Sequence, residues 1–336
     1  MRVLITGGAG FIGSNLSREL TRHGHYVTIL DDLSTGRRAN LAFDPIVGPV
    51  DTELTVGSIL DLDTLTDLAL ESDAIVHLAA RSSVPRSLDD PVASHHANAT
   101  GTLNVLEASR AVGGRHVIMA SSSSVYGANA ELPKRESAAT RPMSPYAASK
   151  LAAEAYALAY ASSFRVPTLA FRFFNVFGPL QPAGHAYAAV IPAFVDAALR
   201  GTTITVHGDG TQSRDFTNVA TVCATIRHAL EQEITSSDPV NLAFGSRITL
   251  NDVLTLIAER VDAPLLIENV ANRAGDVPHS QADSTLLRSL FPTIEPIDFT
   301  TGLDQTIRWM RSTLEDGHDL DLNATLDLSE KPSKAV

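Results

Sequence analysis

Short apolar runs alternate with longer amphipathic stretches through the first half of the 336-residue chain. The apolar runs predict strands over residues 3–6, 26–30, 74–78, 116–120 and 168–173. The longest amphipathic stretches between them predict helices over residues 91–112 and 145–160, and the second is rich in alanine. Alternation of strands and helices is typical of a doubly wound parallel sheet, so we predict an α/β, Rossmann-type fold.

The pattern changes after residue 175, where shorter elements are separated by frequent prolines. Residues 216–230 and 240–242 nevertheless predict a helix and a strand that return to the main sheet, so we expect two domains that interleave in sequence. The predicted parts are a sheet domain over 1–174 and 216–246, a smaller substrate-binding domain over 175–215 and 247–314, and an acidic tail over 315–336. The tail holds six acidic and two basic side chains, which is typical of a solvated segment.

Charge and composition narrow the class of protein. The chain has 26 basic and 38 acidic side chains and a formal net charge of −12, which argues against a nucleic-acid partner. Cys223 is the single cysteine and cannot form an internal disulfide, the adjacent His95 and His96 point in different directions on a helix, and the surroundings of His77 are apolar, so we predict no metal site. We see no signal peptide and no apolar stretch of the roughly 18 residues that a bilayer span needs. We therefore expect a cytoplasmic protein without a membrane partner.

A glycine-rich turn, Gly7 to Gly13, follows the first predicted strand and opens a helix. Although such a turn can be purely structural, its glycines let the backbone approach a pyrophosphate, which the helix N-terminus also favours. Asp31 stands 18 residues after Gly13, at the end of the second predicted strand, where its carboxylate can accept both hydroxyls of an adenosine ribose. Arg37 and Arg38 could instead hold a 2′-phosphate, but Asp31 would repel it. The pattern therefore favours NAD over NADP.

Tyr146 and Lys150 stand four residues apart and therefore on one face of a predicted helix. A neighbouring cation lowers the pKa of a phenol, and a tyrosine tuned in this way can act as a general base. A run of serines, Ser121 to Ser124, follows the strand predicted at 116–120, at the edge of the sheet where ligands bind. Taken separately, the pair could be surface residues and the serines a flexible loop. Their combination indicates a catalytic site.

These residues belong to a longer series of motifs that resembles the extended short-chain dehydrogenase/reductase family, and within it the nucleotide-sugar 4-epimerases of the UDP-glucose and UDP-N-acetylglucosamine type. The resemblance spans about residues 1–314. The matching segments, in family order, are Gly7-x-x-Gly10-x-x-Gly13, 30–36, 77–80, the serine run with Val125-Tyr126-Gly127, Ser144-Pro145-Tyr146-x-x-x-Lys150, 172–179, 208–216 and 273–276.

The resemblance implies a role for each matching residue. Tyr146 would be the catalytic base, Lys150 would lower its pKa and hold the nicotinamide ribose, and Ser122 would bridge the tyrosine and the substrate. The implied NAD contacts are Gly7, Gly10, Phe11, Ile12, Gly13, Asp31, Asp32, Ser34, Thr35, Gly36, Ser58, Ile59, Leu78, Ala79, Ala80, Tyr146 and Lys150. The implied substrate contacts are Ser82, Ser83, Ser122, Ser123, Tyr146, Asn175, Gln181, Ala189, Val190, Arg214, Arg273, Asp276 and Ser280. Ser58 departs from the family pattern, because many relatives carry aspartate there.

The implied reaction is NAD-dependent 4-epimerisation of a UDP-hexose through a 4-keto intermediate, with NAD held tightly throughout. UDP-GlcNAc and UDP-GalNAc are the favoured substrates, because Ser280 stands where glucose-only relatives carry a bulky tyrosine, and UDP-glucose and UDP-galactose are further candidates. The resemblance also implies a homodimer built on the helices predicted at 91–112 and 145–160.

Other enzymes of the same family are alternatives. Dehydratases carry Thr-Asp-Glu in place of the serines at 122–124, glucuronate decarboxylases carry glutamate in place of Ser124, and glucuronate 4-epimerases tend to carry threonine in place of Asn175, so all three rank lower. A net reductase stays open, because it shares the catalytic trio. A remote alternative is a non-catalytic NAD-sensing regulator, since a fold does not fix a function, although such proteins usually lack the Tyr-Lys pair.

Overall fold

The computed structural model describes residues 1–41, 52–183, 188–271 and 277–315. Arg273, Asp276 and all of the predicted acidic tail except Glu315 lie outside these ranges. The strands are β1 (Arg2–Thr6), β2 (Tyr26–Asp31), β3 (Thr52–Val56), β4 (Ala74–His77), β5 (His116–Ser122), β6 (Thr168–Phe173), β7 (Asn175–Phe177), β8 (Ile204–His207), β9 (Ser213–Arg214), β10 (Phe216–Asn218), β11 (Val240–Leu242), β12 (Ile248–Thr249) and β13 (Ile267–Val270). The α-helices are α1 (Phe11–Arg22), α2 (Leu62–Leu70), α3 (Val84–Asp89), α4 (Pro91–His95), α5 (Gly101–Ala111), α6 (Pro145–Phe164), α7 (Val190–Arg200), α8 (Val219–Glu231), α9 (Leu250–Ala258), α10 (Thr285–Leu290) and α11 (Phe299–Glu315). Within the described ranges, no helix combines the length and the apolar character that a membrane span requires.

Seven of these strands form one parallel sheet in the order β11-β6-β5-β4-β1-β2-β3. The chain runs from β1 outward to β2 and β3, and then returns to β4 on the other side of β1. Such a reversal creates a crevice at the carboxyl ends of the strands, which is where open α/β sheets bind ligands. The doubly wound, Rossmann-type α/β fold predicted from the sequence is confirmed.

Two local features differ from the sequence prediction. The apolar pattern does not indicate β3, because this edge strand is half-buried or exposed along its length. Residues 216–218 form strand β10 beside β7, and the helix predicted from residue 216 begins instead at Val219. Asn218 fixes that start, because its side chain accepts a hydrogen bond from the backbone N–H of Ala220 at 2.8 Å. Strand β11 does return to the main sheet, where it pairs with β6.

The central sheet is buried on both faces. Val3 and Ile5 of β1 belong to the apolar core that includes α1 and α8, whereas Leu4 between them belongs to the core that includes α2, α5 and α6. Successive side chains of a strand point to opposite faces, so helices cover each side of the sheet. A separate apolar core lies around α7, α9 and α11 in the second half of the chain. The exact division into two domains stays a prediction.

The helix predicted over residues 91–112 is interrupted. α4 ends at His95, a π-helical turn spans His96–Thr100, and α5 begins at Gly101. A Cβ at position 101 would lie 2.3 Å from the end of the Ile59 side chain, so the glycine lets the helix pack on the loop after β3 without moving that side chain. Single π-helical turns of this kind are frequent at functional sites.

Backbone hydrogen bonds hold the loop after β5 against the segment that leads into α6. The N–H of Ala128 donates to the carbonyl oxygen of Arg141, and the N–H of Arg141 donates to the carbonyl oxygen of Val125, both at 3.0 Å. Gly127 lies between them with a φ of +44°, and a Cβ there would lie 1.9 Å from the Arg141 carbonyl oxygen. Only glycine fits this position without displacing the backbone.

We predict that Gly127→Ala lowers the free energy of unfolding by roughly 3 kcal/mol, because it adds a steric clash to the cost of a left-handed backbone. Gly24→Ala is the matched control, since Gly24 has a φ of +77° but no heavy atom within 4 Å of a Cβ placed there. The control should lose only about 1 kcal/mol. Urea unfolding measures both variants, and equal losses would contradict the steric role of the Arg141 carbonyl.

Candidate active site

A cleft of about 950 Å³ lies at the carboxyl ends of the central strands. The predicted cofactor contacts that line it are Gly7, Gly10, Phe11, Ile12, Gly13, Asp31, Asp32, Ser34, Thr35, Ser58, Ile59, Leu78, Ala79, Ala80, Tyr146 and Lys150. The predicted substrate contacts Ser82, Ser122 and Gln181 line the same cleft. The fold therefore brings together residues that are far apart in the sequence.

The glycine turn forms the floor of the cleft beside β1. Gly7 has a φ of +73°, and a Cβ there would lie 2.6 Å from the backbone nitrogen of Ala79. A Cβ at Gly13 would lie 2.3 Å from the Gly7 carbonyl oxygen, so both positions require glycine. Helix α1 begins at Phe11, and Gly10 before it has no side chain to cap the first N–H groups. Those N–H groups and the positive end of the helix dipole suit a pyrophosphate.

Asp31 lies at the end of β2 beside this turn. Its carboxylate accepts hydrogen bonds from the backbone N–H groups of Ala9 at 2.9 Å and Leu33 at 2.8 Å. Burial raises the pKa of Asp31, and these two hydrogen bonds oppose that shift. The fixed carboxylate has further lone pairs available for ribose hydroxyls. The glycine turn and Asp31 together therefore fit NAD.

Ser58 lines the cleft beyond Asp31, in the loop after β3. Its hydroxyl oxygen accepts a hydrogen bond from the backbone N–H of Leu60 at 3.2 Å. A hydroxyl at this position can still donate its proton, which an aspartate could not do when ionised. Ser58 thus lines the cleft, and the part expected of it in binding the adenine stays a prediction.

His77 is buried at the end of β4, and both of its ring nitrogens are hydrogen-bonded. Nδ1 lies 2.7 Å from the hydroxyl of Thr6, and Nε2 lies 2.9 Å from the hydroxyl of Thr102. The Thr102 hydroxyl donates to the carbonyl oxygen of Asn98 at 2.6 Å, so it must accept the proton of His77 Nε2. Burial, with the nearby charge of Lys150, lowers the pKa of His77 to about 3. This neutral histidine has a structural role, and the described ranges hold no group of three His, Cys, Asp or Glu side chains placed to bind a metal.

Asn98, in the π-helical turn, is an important residue that the sequence reasoning missed. Its Oδ1 accepts from the Arg81 N–H at 2.8 Å, and its Nδ2 donates to the Arg81 carbonyl oxygen at 3.2 Å and to the Ser149 hydroxyl at 2.9 Å. The Ser149 hydroxyl donates in turn to the carbonyl oxygen of Tyr146 at 2.8 Å. Asn98 therefore links the segment after β4 to the helix that carries Tyr146. A buried-face asparagine in an otherwise apolar helix pattern was the available signal.

Tyr146, Lys150 and Ser122 meet where α6 crosses the end of β5. Helix α6 starts at Pro145, because the Ser144 hydroxyl accepts a hydrogen bond from the N–H of Ala147 at 3.1 Å. Lys150 Nζ donates to the carbonyl oxygen of Ala120 at 2.9 Å. Ser144 thus fixes the start of the helix, and Lys150 holds its second turn against β5.

The Ser122 hydroxyl is arranged to donate its proton to Tyr146. Its oxygen accepts hydrogen bonds from the backbone N–H of Ser124 at 3.2 Å and from the Ser124 hydroxyl at 2.9 Å. With both acceptor positions in use, its own proton is left to donate to the phenol of Tyr146, which lines the same cleft. A donor on the phenol oxygen stabilises the phenolate form.

Burial shifts the pKa values of Tyr146 and Lys150 in opposite directions. Burial raises the pKa of Tyr146, while the hydrogen bond from Ser122 lowers it. Burial lowers the pKa of Lys150 to about 8. In the structure, Ser122 lowers the pKa of Tyr146. That Lys150 also lowers this pKa stays a prediction.

A second cavity of about 290 Å³ adjoins the cleft, and Val176 and Gln181 line both. The predicted substrate contacts that line this cavity are Asn175, Gln181, Ala189, Val190 and Arg214. Gln181 is buried, and its Nε2 donates to the Val176 carbonyl oxygen at 3.1 Å. Its Oε1 has no hydrogen-bond partner among the described residues. A buried acceptor of this kind is suited to a donor group of a ligand.

Some functional candidates are not where the sequence reasoning expected them. Four predicted contacts line neither cavity within the described ranges, namely Gly36, Ser83, Ser123 and Ser280. Gly36 packs against Asp31, and the N–H of Ser280 donates to the Ser213 carbonyl oxygen at 3.0 Å, beside Arg214. Conversely, Thr205 and His207 line the second cavity without any sequence motif that indicates them, and Gln212 lines it from an unspecified position of the segment 208–216.

Comparison with known proteins is consistent with this geometry. A family model described as the NAD dependent epimerase/dehydratase family matches residues 3–243. A UDP-glucose 4-epimerase of Mycolicibacterium smegmatis is 36% identical over 315 residues, which cover 93% of this chain and 99% of the relative. A probable UDP-glucuronate 4-epimerase of Rhizobium meliloti is 32% identical, with 95% of this chain and 99% of the relative covered. Among solved structures, a UDP-N-acetylglucosamine 4-epimerase of Methanobrevibacter ruminantium in complex with UDP-N-acetylmuramic acid superposes with a TM-score of 0.87 at 34% identity, covering 93% of this chain and 98% of that one.

Proposed function

The chain belongs to the NAD dependent epimerase/dehydratase family, and from that premise we propose that it is an NAD-dependent 4-epimerase of UDP-hexoses. NAD is the cofactor typical of the family, and related structures contain it. Named relatives include 4-epimerases of UDP-glucose and UDP-glucuronate and decarboxylases of UDP-uronic acids, so the reaction has to be argued from the site. The observation that carries the proposal is that Tyr146, Ser122 and Lys150 line one cleft together with the glycine turn.

The roles of this chain's residues follow from their contacts. NAD, when bound, supplies a reversible acceptor for the hydrogen on C4 of the hexose. Tyr146 would remove the proton of the 4-hydroxyl and later return it, while Ser122 stabilises the phenolate through its donated proton. The buried Lys150 would supply positive charge near the reacting oxygen and hold the nicotinamide ribose. We propose that NAD stays bound throughout, because epimerisation produces no net oxidation or reduction.

The distribution of carboxylates supports epimerisation over loss of water. Among the described residues that line the cleft, the only acidic side chains are Asp31 and Asp32, at the ribose end. The loop after β5 offers hydroxyls at 122–124 where a dehydratase would need an acid and a base. Proton transfer at the hexose would therefore depend on Tyr146 and Ser122.

We propose that the second cavity receives the nucleotide and that the hexose lies between it and Tyr146. Arg214 lines the cavity and offers a cation to a diphosphate. Gln181 lies at the junction of the two spaces with an acceptor that has no partner among the described residues, which suits a hydroxyl or amide donor of the sugar. An N-acetylated UDP-hexose is the preferred substrate in this proposal, with UDP-glucose and UDP-galactose as further ones.

We also propose a homodimer built on α4, α5 and α6, the helices of the predicted segments 91–112 and 145–160, with α3 packed beside them. Leu88 is 65% exposed, Val92 63%, Phe164 52% and Tyr156 41%, and these helices pack side by side. Neighbouring helices that expose large apolar side chains are typical of an interface. Light scattering should give the mass of a dimer, and Val92→Glu should shift it to that of a monomer. Leu266→Glu, a change at an equally apolar side chain that is 54% exposed elsewhere, should leave the dimer intact, and a monomeric wild type would reject the proposal.

Tyr146→Phe tests the assignment of the catalytic base. This change removes only the phenolic oxygen, so turnover should fall by about 10²-fold or more while NAD remains bound. Ser122→Ala should cost less, because it removes a hydrogen bond to the phenolate and leaves the proton acceptor. Turnover is measured with purified protein and no added NAD. Near-wild-type activity of Tyr146→Phe would reject this residue as the base.

The choice of hexose is tested by incubation with UDP-GlcNAc, UDP-GalNAc, UDP-glucose, UDP-galactose and UDP-glucuronate, followed by NMR of the anomeric and H4 signals. We predict interconversion of the N-acetylated pair. Ser280 lines neither cavity but lies beside Arg214, so in this proposal the longer ring of Ser280→Tyr reaches the space for the acetamide, abolishes that reaction and spares the glucose pair. Ser289→Tyr, at an exposed serine of α10, is the control and should change neither. Equal loss or equal retention of both activities in Ser280→Tyr would reject the gate, and turnover of UDP-glucuronate alone would reject the proposed substrate class.

A further inference from the structure

Helix α6 carries a third polar side chain in register with Tyr146 and Lys150. Glu154 follows Lys150 by one turn and is only 3% exposed. Its Oε2 accepts a hydrogen bond from the hydroxyl of Ser121 at 2.7 Å. Ser121 directly precedes Ser122, so one turn of the catalytic helix is bonded to the residue next to the catalytic serine.

A buried arginine holds Glu154 in place. Arg172 of β6 donates to Glu154 through Nη2 at 2.6 Å and through Nε at 2.9 Å, which is a bidentate pair. Arg172 also donates to the Glu136 carbonyl oxygen at 3.0 Å and lies over the ring of Tyr126 at 4.7 Å from its centroid. Burial alone would lower the pKa of Arg172, but the hydrogen bonds and charge of Glu154 raise it above its ordinary value. The carboxylate is therefore held by a fixed and permanently charged partner.

Neither charge of this pair is among the described residues that line the two cavities. A buried ion pair is expensive to desolvate and is weak evidence for a gain in stability. The Glu154–Arg172 pair instead joins helix α6 to β5, to β6 and to the loop that ends at Tyr126. The elements it joins are those that carry Ser122 and Tyr146.

We propose that Glu154, held by Arg172, is a positioning residue that fixes Ser121 and thereby holds the Ser122 hydroxyl against Tyr146. The inference rests on the proposed function, in which that hydrogen bond stabilises the phenolate. Lys150 and His77, the other titratable groups beside this bond, have their own hydrogen bonds to Ala120, Thr6 and Thr102. Removing the Ser121 hydroxyl therefore affects the position of Ser122 without changing either of them.

Ser121→Ala is the appropriate variant, because Glu154→Gln or Arg172→Met would leave an unpaired buried charge and could prevent folding. Ser109→Ala is the matched control, because Ser109 is also buried but lines neither cavity. This variant likewise removes one hydrogen bond, which the Ser109 hydroxyl donates to the Arg115 carbonyl oxygen at 2.8 Å. Two readouts are made on each protein as purified. The first is the ionisation of Tyr146, from the ultraviolet difference absorbance of tyrosinate with Tyr146→Phe as the blank. The second is kcat and KM for the UDP-hexose, together with the amount of bound NAD.

In Ser121→Ala we expect the pKa of Tyr146 to rise and kcat to fall by about tenfold or more, with KM and bound NAD unchanged. Ser109→Ala should match the wild type in all of these quantities. An unchanged Tyr146 pKa in Ser121→Ala would overturn the proposal, and so would a change confined to KM or to bound NAD, which would indicate that Ser121 contacts a ligand. A wild type that epimerises no UDP-hexose would reject the proposed function alone, because the Tyr146 pKa comparison needs no substrate.

Discussion

The close packing of helix α6 against the carboxyl ends of β5 and β6 is the constraint on which the rest of the site depends. Ala147, Ala153 and Ala157 are buried in this helix, and such small side chains let it approach the sheet closely. Lys150 and Glu154, on successive turns, are then hydrogen-bonded to β5, and Tyr146, one turn earlier, lines the cleft beside Ser122. Larger residues on that face would move all three side chains away from the strands at once.

The same packing sets the electrostatics of the site. Because the phenol and the ammonium are removed from water, burial alone raises the pKa of Tyr146 and lowers that of Lys150, and each shift opposes the charged form. The fold opposes this effect with hydrogen bonds, through Ser122 for the phenol and the Ala120 carbonyl for the ammonium. The site is therefore sensitive to small displacements of β5, since the phenolate is favoured only while the Ser122 hydroxyl is correctly directed.

A feature of this structure can be predicted from the sequence when the residues that indicate it lie within one helix or strand. The parallel sheet and the Tyr146–Lys150 pair are predictable, because apolar runs and a four-residue spacing lie within single elements. Strand β3 and the π-helical turn at Asn98 are not, because an edge strand lacks an apolar run and no local pattern of residues marks the extra turn. His207 of the second cavity also escapes prediction, because it is brought beside Arg214 only by the folded chain.

The central claim is that the hydrogen removed from C4 of the hexose returns to the same carbon within one enzyme molecule that keeps its cofactor. The most direct measurement uses UDP-hexose carrying deuterium at C4, incubated with the purified protein in ordinary water and with an excess of added unlabelled NAD. Mass spectrometry and NMR of the product then locate the label. We predict a 4-epimer that retains all of its deuterium at C4. Deuterium in the added cofactor or in water, or a product that has lost water or carbon dioxide, would contradict it.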